Sequence, residues 1–265
     1  MKKYLQIIKI TFQEYFEYRL NFILWRFRNL ISLFVLLSFW LALFGEKTDF
    51  LDYSKSQILT YVLGISLLKS IVIASRSIDL GGQIKSGYLT KLLIQPINLF
   101  KFWFSRDLAD KLMNIFFMIF EIFLVIKIFN LNLLFPKDPA TYFVFFILVF
   151  LATGLYFYLS FLLSCLAFWT DEIWATRFLF GFIFLEFFSG SLFPIDILPG
   201  VLKKIAFCSP FPYLIYYPLK FWLGQISFKS VFWVILMEIF WLILFKKLAL
   251  YFWEKGSKDY GAYGG

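Results

Sequence analysis

Six long apolar runs constrain the fold of this chain more than any other feature of its sequence. They cover residues 30–44, 57–75, 112–131, 141–168, 175–192 and 231–250. A helix needs about 20 predominantly apolar residues to cross roughly 30 Å of hydrocarbon, and in a helix every backbone polar group is bonded within the segment. The sequence therefore predicts an all-α integral membrane protein with six transmembrane helices, of which the first is short and the fourth is long enough to tilt.

Composition supports a membrane protein and argues against a nucleic-acid-binding one. Hydrophobic residues make up 61% of the 265 positions, whereas soluble domains contain about 45–50%. The net charge is +9, but the basic residues lie between the apolar runs, as expected for loops beside an anionic membrane surface. We therefore expect membrane lipids, and no nucleic acid, around this chain.

The distribution of Lys and Arg predicts the orientation. Basic residues concentrate before the first run, between the second and third runs, and in the C-terminal tail. Cytoplasmic loops carry such an excess, so both termini and the loop at 76–111 should be cytoplasmic. One segment disagrees, because 193–230 should be external yet contains four lysines: Lys203, Lys204, Lys220 and Lys229.

The first 28 residues are predicted to form a separate interfacial helix. Polar residues recur at helical spacing on one face, at Lys2, Gln6, Lys9, Gln13 and Glu17. Apolar and aromatic residues line the other face, at Tyr4, Ile8, Phe12 and Tyr15. This pattern is typical of an amphipathic helix in the membrane surface. The alternative is a cytoplasmic helix packed on a partner.

Residue types restrict the chemistry available to the chain. Histidine is absent, which removes imidazole general bases and the His-containing metal sites of many hydrolases. The two cysteines, Cys165 and Cys208, have no partner at metal-ligand spacing. Catalysis would have to rest on carboxylates, lysine or tyrosine. Because no Asp/Glu pair is clustered in a loop, we expect no catalytic residue, no metal site and no enzyme activity on this chain.

Ionisable residues inside the apolar runs need an explanation, because each costs about 2.5–3.5 kcal/mol at the bilayer centre. The candidates are Lys69, Glu121, Lys127, Glu186 and Glu238. The two lysines lie near span ends and can reach the headgroups. Glu121 and Glu186 are the best candidates for an intramembrane polar site. They are expected either to be satisfied by neighbours or to carry protons in a secondary transporter.

The loop at 76–111 contains the glycine spacing of a phosphate-binding loop, from Gly82 to Gly87. The motif is incomplete, because Tyr88 and Leu89 stand where Lys and Ser or Thr are required. An ATPase, if one drives this protein, must therefore be a separate chain. Residues 83–94 can form a short docking helix that Pro96 ends; an ordinary amphipathic connector is the alternative.

The stretch before the last run is apolar but interrupted by Gly and Pro. Its defining residues are Gly190, Pro194, Asp196 and Pro199. Such a segment is too irregular to span and fits a re-entrant element buried in protein or lining a cavity. A proline-rich interfacial loop has similar local chemistry and stays open as an alternative.

At four places the chain resembles the permeases of type-2 ABC exporters, and within them a bacterial subgroup usually paired with a second, related permease. These places are Tyr18-Arg-Leu-Asn-Phe22; Ile84-Lys-Ser-Gly-Tyr-Leu89 with Leu92, Leu93 and Pro96; Phe188-Ser-Gly190 with Pro194, Asp196 and Pro199; and Pro210-Phe211. The order and spacing of these motifs carry the resemblance, which covers nearly the whole chain.

The resemblance implies one permease domain over 1–265, with an interfacial elbow helix at 1–28, a cytoplasmic coupling loop at 76–111 and an external re-entrant region at 193–230. Its coupling helix would use Ile84, Lys85, Ser86, Gly87, Leu89, Leu92 and Leu93. It also implies a dimer in the bacterial inner membrane, docked on an ABC ATPase subunit that binds ATP and Mg²⁺, and exporting a lipid, glycan or drug-like molecule. A proton- or ion-coupled secondary transporter using Glu121 and Glu186 is the alternative function.

Overall fold

The computed structural model describes residues 2–50, 52–170 and 172–260 and is almost entirely helical. Residues 1 and 261–265, at the ends of the predicted permease domain, lie outside the described part. The long helices are α1 (Lys2–Glu17), α2 (Arg19–Phe44), α3 (Lys55–Leu68), α6 (Leu99–Phe129), α7 (Pro139–Cys165) and α12 (Phe228–Lys258). The short helices are α4 (Leu80–Lys85), α5 (Leu89–Leu93), α8 (Ile173–Phe178), α9 (Leu185–Phe188), α10 (Gly200–Phe207) and α11 (Tyr216–Trp222).

Shorter elements connect these helices. A two-stranded antiparallel hairpin, β1 (Asp49–Phe50) and β2 (Tyr53–Ser54), leads into α3. Two π-helical segments occur, Lys69–Ile73 at the end of α3 and Leu179–Phe184 between α8 and α9. Single 3₁₀ turns cover Arg76–Asp79, Leu166–Phe168, Ile195–Ile197 and Phe211–Tyr213.

Five helices of the described chain are long and apolar enough to cross a membrane. They are Arg19–Phe44, Lys55–Ile73, Leu99–Phe129, Pro139–Phe168 and Phe228–Lys258. The predicted fifth span, 175–192, corresponds to the helical stretch α8–α9, of which Leu179–Phe188 is a shorter apolar helix. The structure thus confirms an all-α protein with several candidate spans, while the six-span count stays a prediction.

The N-terminal helices run alongside α6 in the same direction. The side-chain bonds that join them connect residues 88 to 95 positions apart along the whole length, from Glu14–Arg106 to Arg26–Glu121. The Tyr18 backbone N–H donates to the Glu14 carbonyl over 2.9 Å, but the backbone at Tyr18 (φ −96°, ψ +38°) leaves helical geometry and divides α1 from α2. Both helices run parallel to α6, with α1 the closer neighbour. The membrane-surface position of α1 stays a prediction.

Helix α7 lies at the centre of the bundle. Its main neighbour is α12, and small residues allow the close approach: Gly154 faces Leu242, and Gly256 of α12 faces the ring of Phe168. A Cβ at Gly256 would overlap that ring. Close packing at small residues is typical of helix pairs in membranes, so these contacts fix the depth at which α12 crosses α7.

Candidate functional site

The chain between α3 and α6 folds into the two short helices α4 and α5. The backbone leaves the helical conformation at Ala74 and Ser75, where the Ser75 side chain accepts a hydrogen bond from the Ser77 backbone N–H. Gly87 then turns the chain between α4 and α5 with φ of +73°. Glycine adopts this left-handed conformation without steric cost. Gly87, the second glycine of the incomplete phosphate-loop motif, therefore has a structural role in the turn.

Three of the predicted coupling residues point into the protein. Ile84, Leu89 and Leu92 are buried in a cluster that also contains Trp103 of α6 and Phe161 of α7. Leu89 is fully buried and Leu92 is 5% exposed. These side chains therefore hold α4 and α5 against the membrane helices and are not available to a second protein.

A different set of residues forms the exposed surface of this connection. Tyr88 is 49% exposed, Leu93 is 45% exposed and Ile94 is 79% exposed. Of the other predicted coupling residues, Ser86 is exposed and Lys85 is half-buried. We call Tyr88, Leu93 and Ile94 the α5 surface. Sequence reasoning chose the apolar positions of α5 but could not tell which of them face inward.

A buried polar network, the Asp107 network, joins the start of this connection to α6. Asp107 is 1% exposed and accepts hydrogen bonds from the Ser75 hydroxyl, at 2.9 and 3.0 Å, and from the Arg76 backbone N–H at 2.5 Å. Lys111 Nζ lies 3.7 Å from Asp107 Oδ2 and donates a hydrogen bond to the backbone carbonyl of Ala74. The network thus fixes the point where the chain leaves the helix after α3.

The same network continues to the N-terminal helices through Asp110. Its carboxylate accepts from Arg76 Nε at 3.0 Å, from Asn114 Nδ2 at 2.9 Å and from the hydroxyl of Tyr15. Asn114 in turn accepts from Arg26 at 3.2 Å. One set of polar contacts therefore joins side chains of α1, α2, α6 and the segment after α3. The sequence did not predict that any of these donors would bond to Asp110 or Asn114.

Both predicted intramembrane carboxylates have cationic partners. Glu121 pairs with Arg26 at 2.5 and 2.8 Å. Glu186 accepts from Lys69 at 2.7 Å on both oxygens and from the Ser191 hydroxyl at 2.5 Å. Lys69 was expected to reach the headgroups and instead contacts Glu186. Charge-assisted bonds of this kind are stronger than neutral hydrogen bonds, so each carboxylate is held against a cation within the described part of the bundle.

One family comparison decides what kind of protein carries these features. A protein-family profile described as "ABC-2 family transporter protein" matches residues 30–264, which is most of the chain. The chain belongs to the ABC-2 transporter family. ABC-2 permeases are membrane-translocating subunits, generally non-enzymatic, that usually work with an ABC ATPase subunit. A search of curated proteins finds no match to the chain.

In this ABC-2 permease the stretch after α9 is fixed by a glycine turn. Gly190 has φ of +81°, and a Cβ there would lie 2.5 Å from the hydroxyl of Tyr61. That hydroxyl donates to the Gly190 carbonyl over 2.8 Å. Pro194 and Pro199 then precede a 3₁₀ turn and α10. The predicted region thus contains two short helices: α11 packs on α3 and α7, and α10 packs on the neighbouring 3₁₀ turns. Its re-entrant position in the membrane stays a prediction.

Asp196 is the centre of a second ionic group, the Asp196 cluster. Its carboxylate accepts from Tyr53 at 2.5 Å, from Lys220 at 2.6 Å and from the hydroxyl of Tyr216. Burial alone would raise the pKa of Asp196, but the hydrogen bonds from Lys220, Tyr216 and Tyr53 outweigh it and hold that pKa below its ordinary value. The cluster ties the hairpin before α3 to the 3₁₀ turn and α11.

The Asp196 cluster accounts for two of the four lysines that make 193–230 too basic for an external segment. Lys220 pairs with the Asp196 carboxylate, and Lys203 donates to the Asp196 backbone carbonyl over 3.4 Å. A lysine that is bound to a group of the protein differs from the solvated loop lysines whose excess indicates the cytoplasmic side. Asp196 and Lys220 lie 24 positions apart in an irregular segment. At that separation no helical or strand spacing indicates that the two side chains meet, so the pair could not be predicted from the sequence.

Glu238 on α12 is the intramembrane acid to which sequence reasoning gave no role. Its side chain is fully buried, and neither carboxyl oxygen has a hydrogen-bond partner among the described residues. Burying a charged carboxylate without a partner carries a large free-energy cost. Across the described chain, no group of His, Cys, Asp and Glu side chains is arranged to hold a metal ion.

Proposed function

We propose that this chain is the transmembrane permease subunit of an ABC exporter. It moves a lipid, glycan or drug-like substrate across a bacterial inner membrane, as a dimer with a second copy or a related permease. ATP and Mg²⁺ are bound by a separate ATPase subunit. Membership of the ABC-2 family supports the permease role, and the incomplete phosphate-loop motif at Gly82–Gly87 supports a separate ATPase.

The α5 surface is the observation that carries the docking part of this proposal. Apolar side chains on a short, exposed helix at the end of a bundle are a common feature of protein interaction sites. The inward side of the same helices is anchored by Leu89 and Leu92. A push on the α5 surface is therefore passed to Trp103 of α6 and Phe161 of α7 through close-packed contacts.

Co-purification of the tagged chain from native membranes tests the docking site. We expect an ATPase to purify with the chain in a fixed ratio and to be lost in Ile94→Asp. The matched control is Val201→Asp on α10, where the native side chain is 73% exposed. Loss of the ATPase from the control, or its retention by Ile94→Asp, would contradict docking at the α5 surface.

The two native cysteines test the proposed orientation. Cys208 is exposed and lies in the predicted external region, while Cys165 is buried. A membrane-impermeant maleimide added to intact spheroplasts should label Cys208 without permeabilisation, and Cys208→Ser should abolish the signal. Labelling only after permeabilisation would place 193–230 in the cytoplasm and reverse the topology.

A further inference from the structure

A polar cavity lies between the N-terminal helices, α6 and the segment after α3. Its volume is about 520 Å³. The charged groups in its wall are three carboxylates, from Glu14, Asp79 and Asp110, and one guanidinium, from Arg76. Glu14 pairs with Arg106 at 2.6 Å, and Asp79 and Asp110 pair with Arg76 at 3.6 and 3.0 Å. A carboxylate has about four acceptor positions, so each can accept further hydrogen bonds beyond its arginine. Asp79 is the most accessible, with 46% of its side chain exposed.

Aromatic rings complete the wall and already hold one cation. The rings belong to Tyr15, Tyr18, Phe22, Trp25 and Tyr156. The guanidinium carbon of Arg76 lies 4.9 Å from the ring centroid of Tyr15, within the range of a cation–π contact. Aromatic faces attract organic cations and carboxylates accept hydrogen bonds from ammonium N–H groups, so this wall suits an organic ammonium group, while Arg76 offers a partner for an attached phosphate.

An apolar groove of about 420 Å³ continues from this cavity along the same helices. The two spaces share Tyr15 and Phe22, and the groove extends along α2 to Leu30 and along α6 from Met113 to Glu121. At 1.5 Å per residue, Tyr15 to Leu30 spans about 22 Å. That length exceeds half of a hydrocarbon core, about 15 Å, so the groove can hold a long alkyl chain.

We propose that the cavity and the groove together bind one aminophospholipid of the surrounding leaflet. Its ammonium group faces Glu14, Asp79 and Asp110, its phosphate faces Arg76, and one acyl chain lies in the groove. The site is complete on this chain and needs no ATPase. Lipid binding can therefore fail or succeed independently of the exporter proposal.

Native mass spectrometry of the purified full-length chain tests this site. The probes are phosphatidylethanolamine and phosphatidylglycerol with identical acyl chains, added in equal amounts. We expect preferential retention of phosphatidylethanolamine. Asp79→Asn combined with Glu14→Gln should lower the preference about fivefold, the effect of removing exposed charge contacts. Glu17→Gln, an exposed acid of α1 outside the cavity wall, is the matched control and should keep the preference.

A second variant tests the groove separately from the headgroup. Ile23 lines the groove and is 58% exposed, so Ile23→Trp narrows the groove without disturbing the core. It should reduce retention of both lipids while leaving their ratio unchanged. Equal retention of the two lipids by the native chain would overturn the proposal. So would an unchanged ratio in the double variant, or displacement of the lipid by soluble phosphoethanolamine alone.

Discussion

Two buried ionic groups lie at opposite ends of α3 and are built differently. The Asp196 cluster, beside the start of α3, contains one acid and one base, Asp196 and Lys220, with two tyrosines. The Asp107 network, beyond its other end, contains Asp107, Asp110, Lys111 and Arg76. In the first, each charge depends on a single opposite charge. In the second, Arg76 pairs with both Asp79 and Asp110, and Lys111 lies beside both Asp107 and Asp110.

This difference indicates different tasks for the two ends. A single pair with well-placed tyrosines holds segments in one arrangement, since loss of either charge leaves the other without its opposite charge. A network with alternative partners can keep its charges satisfied while the helices shift. The second end also carries the α5 surface and the polar cavity. We infer that the Asp196 end is fixed and that the Asp107 end transmits movement.

The largest effect should come from removing the base at each end. Lys220→Met leaves Asp196 without its cation and should lower the free energy of unfolding by about 3 kcal/mol. Arg76→Met leaves Asp110 with Asn114 and Tyr15 and should cost about 1 kcal/mol. Denaturant titration in detergent measures both. Equal losses, or a larger loss for Arg76→Met, would break the contrast between the two groups.

A pair of glycine substitutions gives the next largest effect. Gly190→Ala forces a Cβ against Tyr61 at a positive φ and should destabilise by about 2 kcal/mol. A Cβ added at Gly82 in α4 would meet no atom within 4 Å, so Gly82→Ala should be neutral or stabilise by up to about 1 kcal/mol. Thermal unfolding of both variants measures this. A stable Gly190→Ala protein would show that this end is less rigid than we infer.

The smallest effect is a pH dependence that belongs to the Asp196 cluster. Because the pKa of Asp196 is lowered in the folded protein, its contribution is complete above the ordinary aspartate pKa of about 3.9. It is lost as the pH falls through the lower, folded value. Stability measured between pH 5 and pH 2 should therefore fall less steeply in Asp196→Asn than in the native chain. Identical slopes would remove Asp196 as the source.

Apolar periodicity predicted the membrane helices, but not the polar ends of two of them. The runs at 30–44 and 112–131 belong to α2 and α6, which begin earlier, at Arg19 and Leu99. Arg26, ahead of the first run on α2, pairs with Glu121 in the middle of α6, 95 positions away. A single sequence contains no signal for such long-range pairing, so the charged turns were interpreted as loop or interface.

The coupling site stays a prediction, and the local fold of its loop differs from the sequence expectation. A single helix was predicted over 83–94, whereas the turn at Gly87 divides this stretch into α4 and α5. A five-residue helix is too short for periodicity to separate the buried Leu89 and Leu92 from the exposed Leu93. The Asp107 network was missed because its acids and its serine donor come from segments that meet only in the folded bundle.

Photo-crosslinking from single positions tests the central claim, ATPase docking at the α5 surface, most directly. A photoreactive amino acid is placed at Ile94, at the buried Leu92 and at Val201 on α10, and each chain is irradiated in native membranes. We predict a crosslink to an ABC ATPase subunit from position 94 and none from 92 or 201. A crosslink to the ATPase from position 201, or none from position 94 in a chain that still transports, would contradict the account.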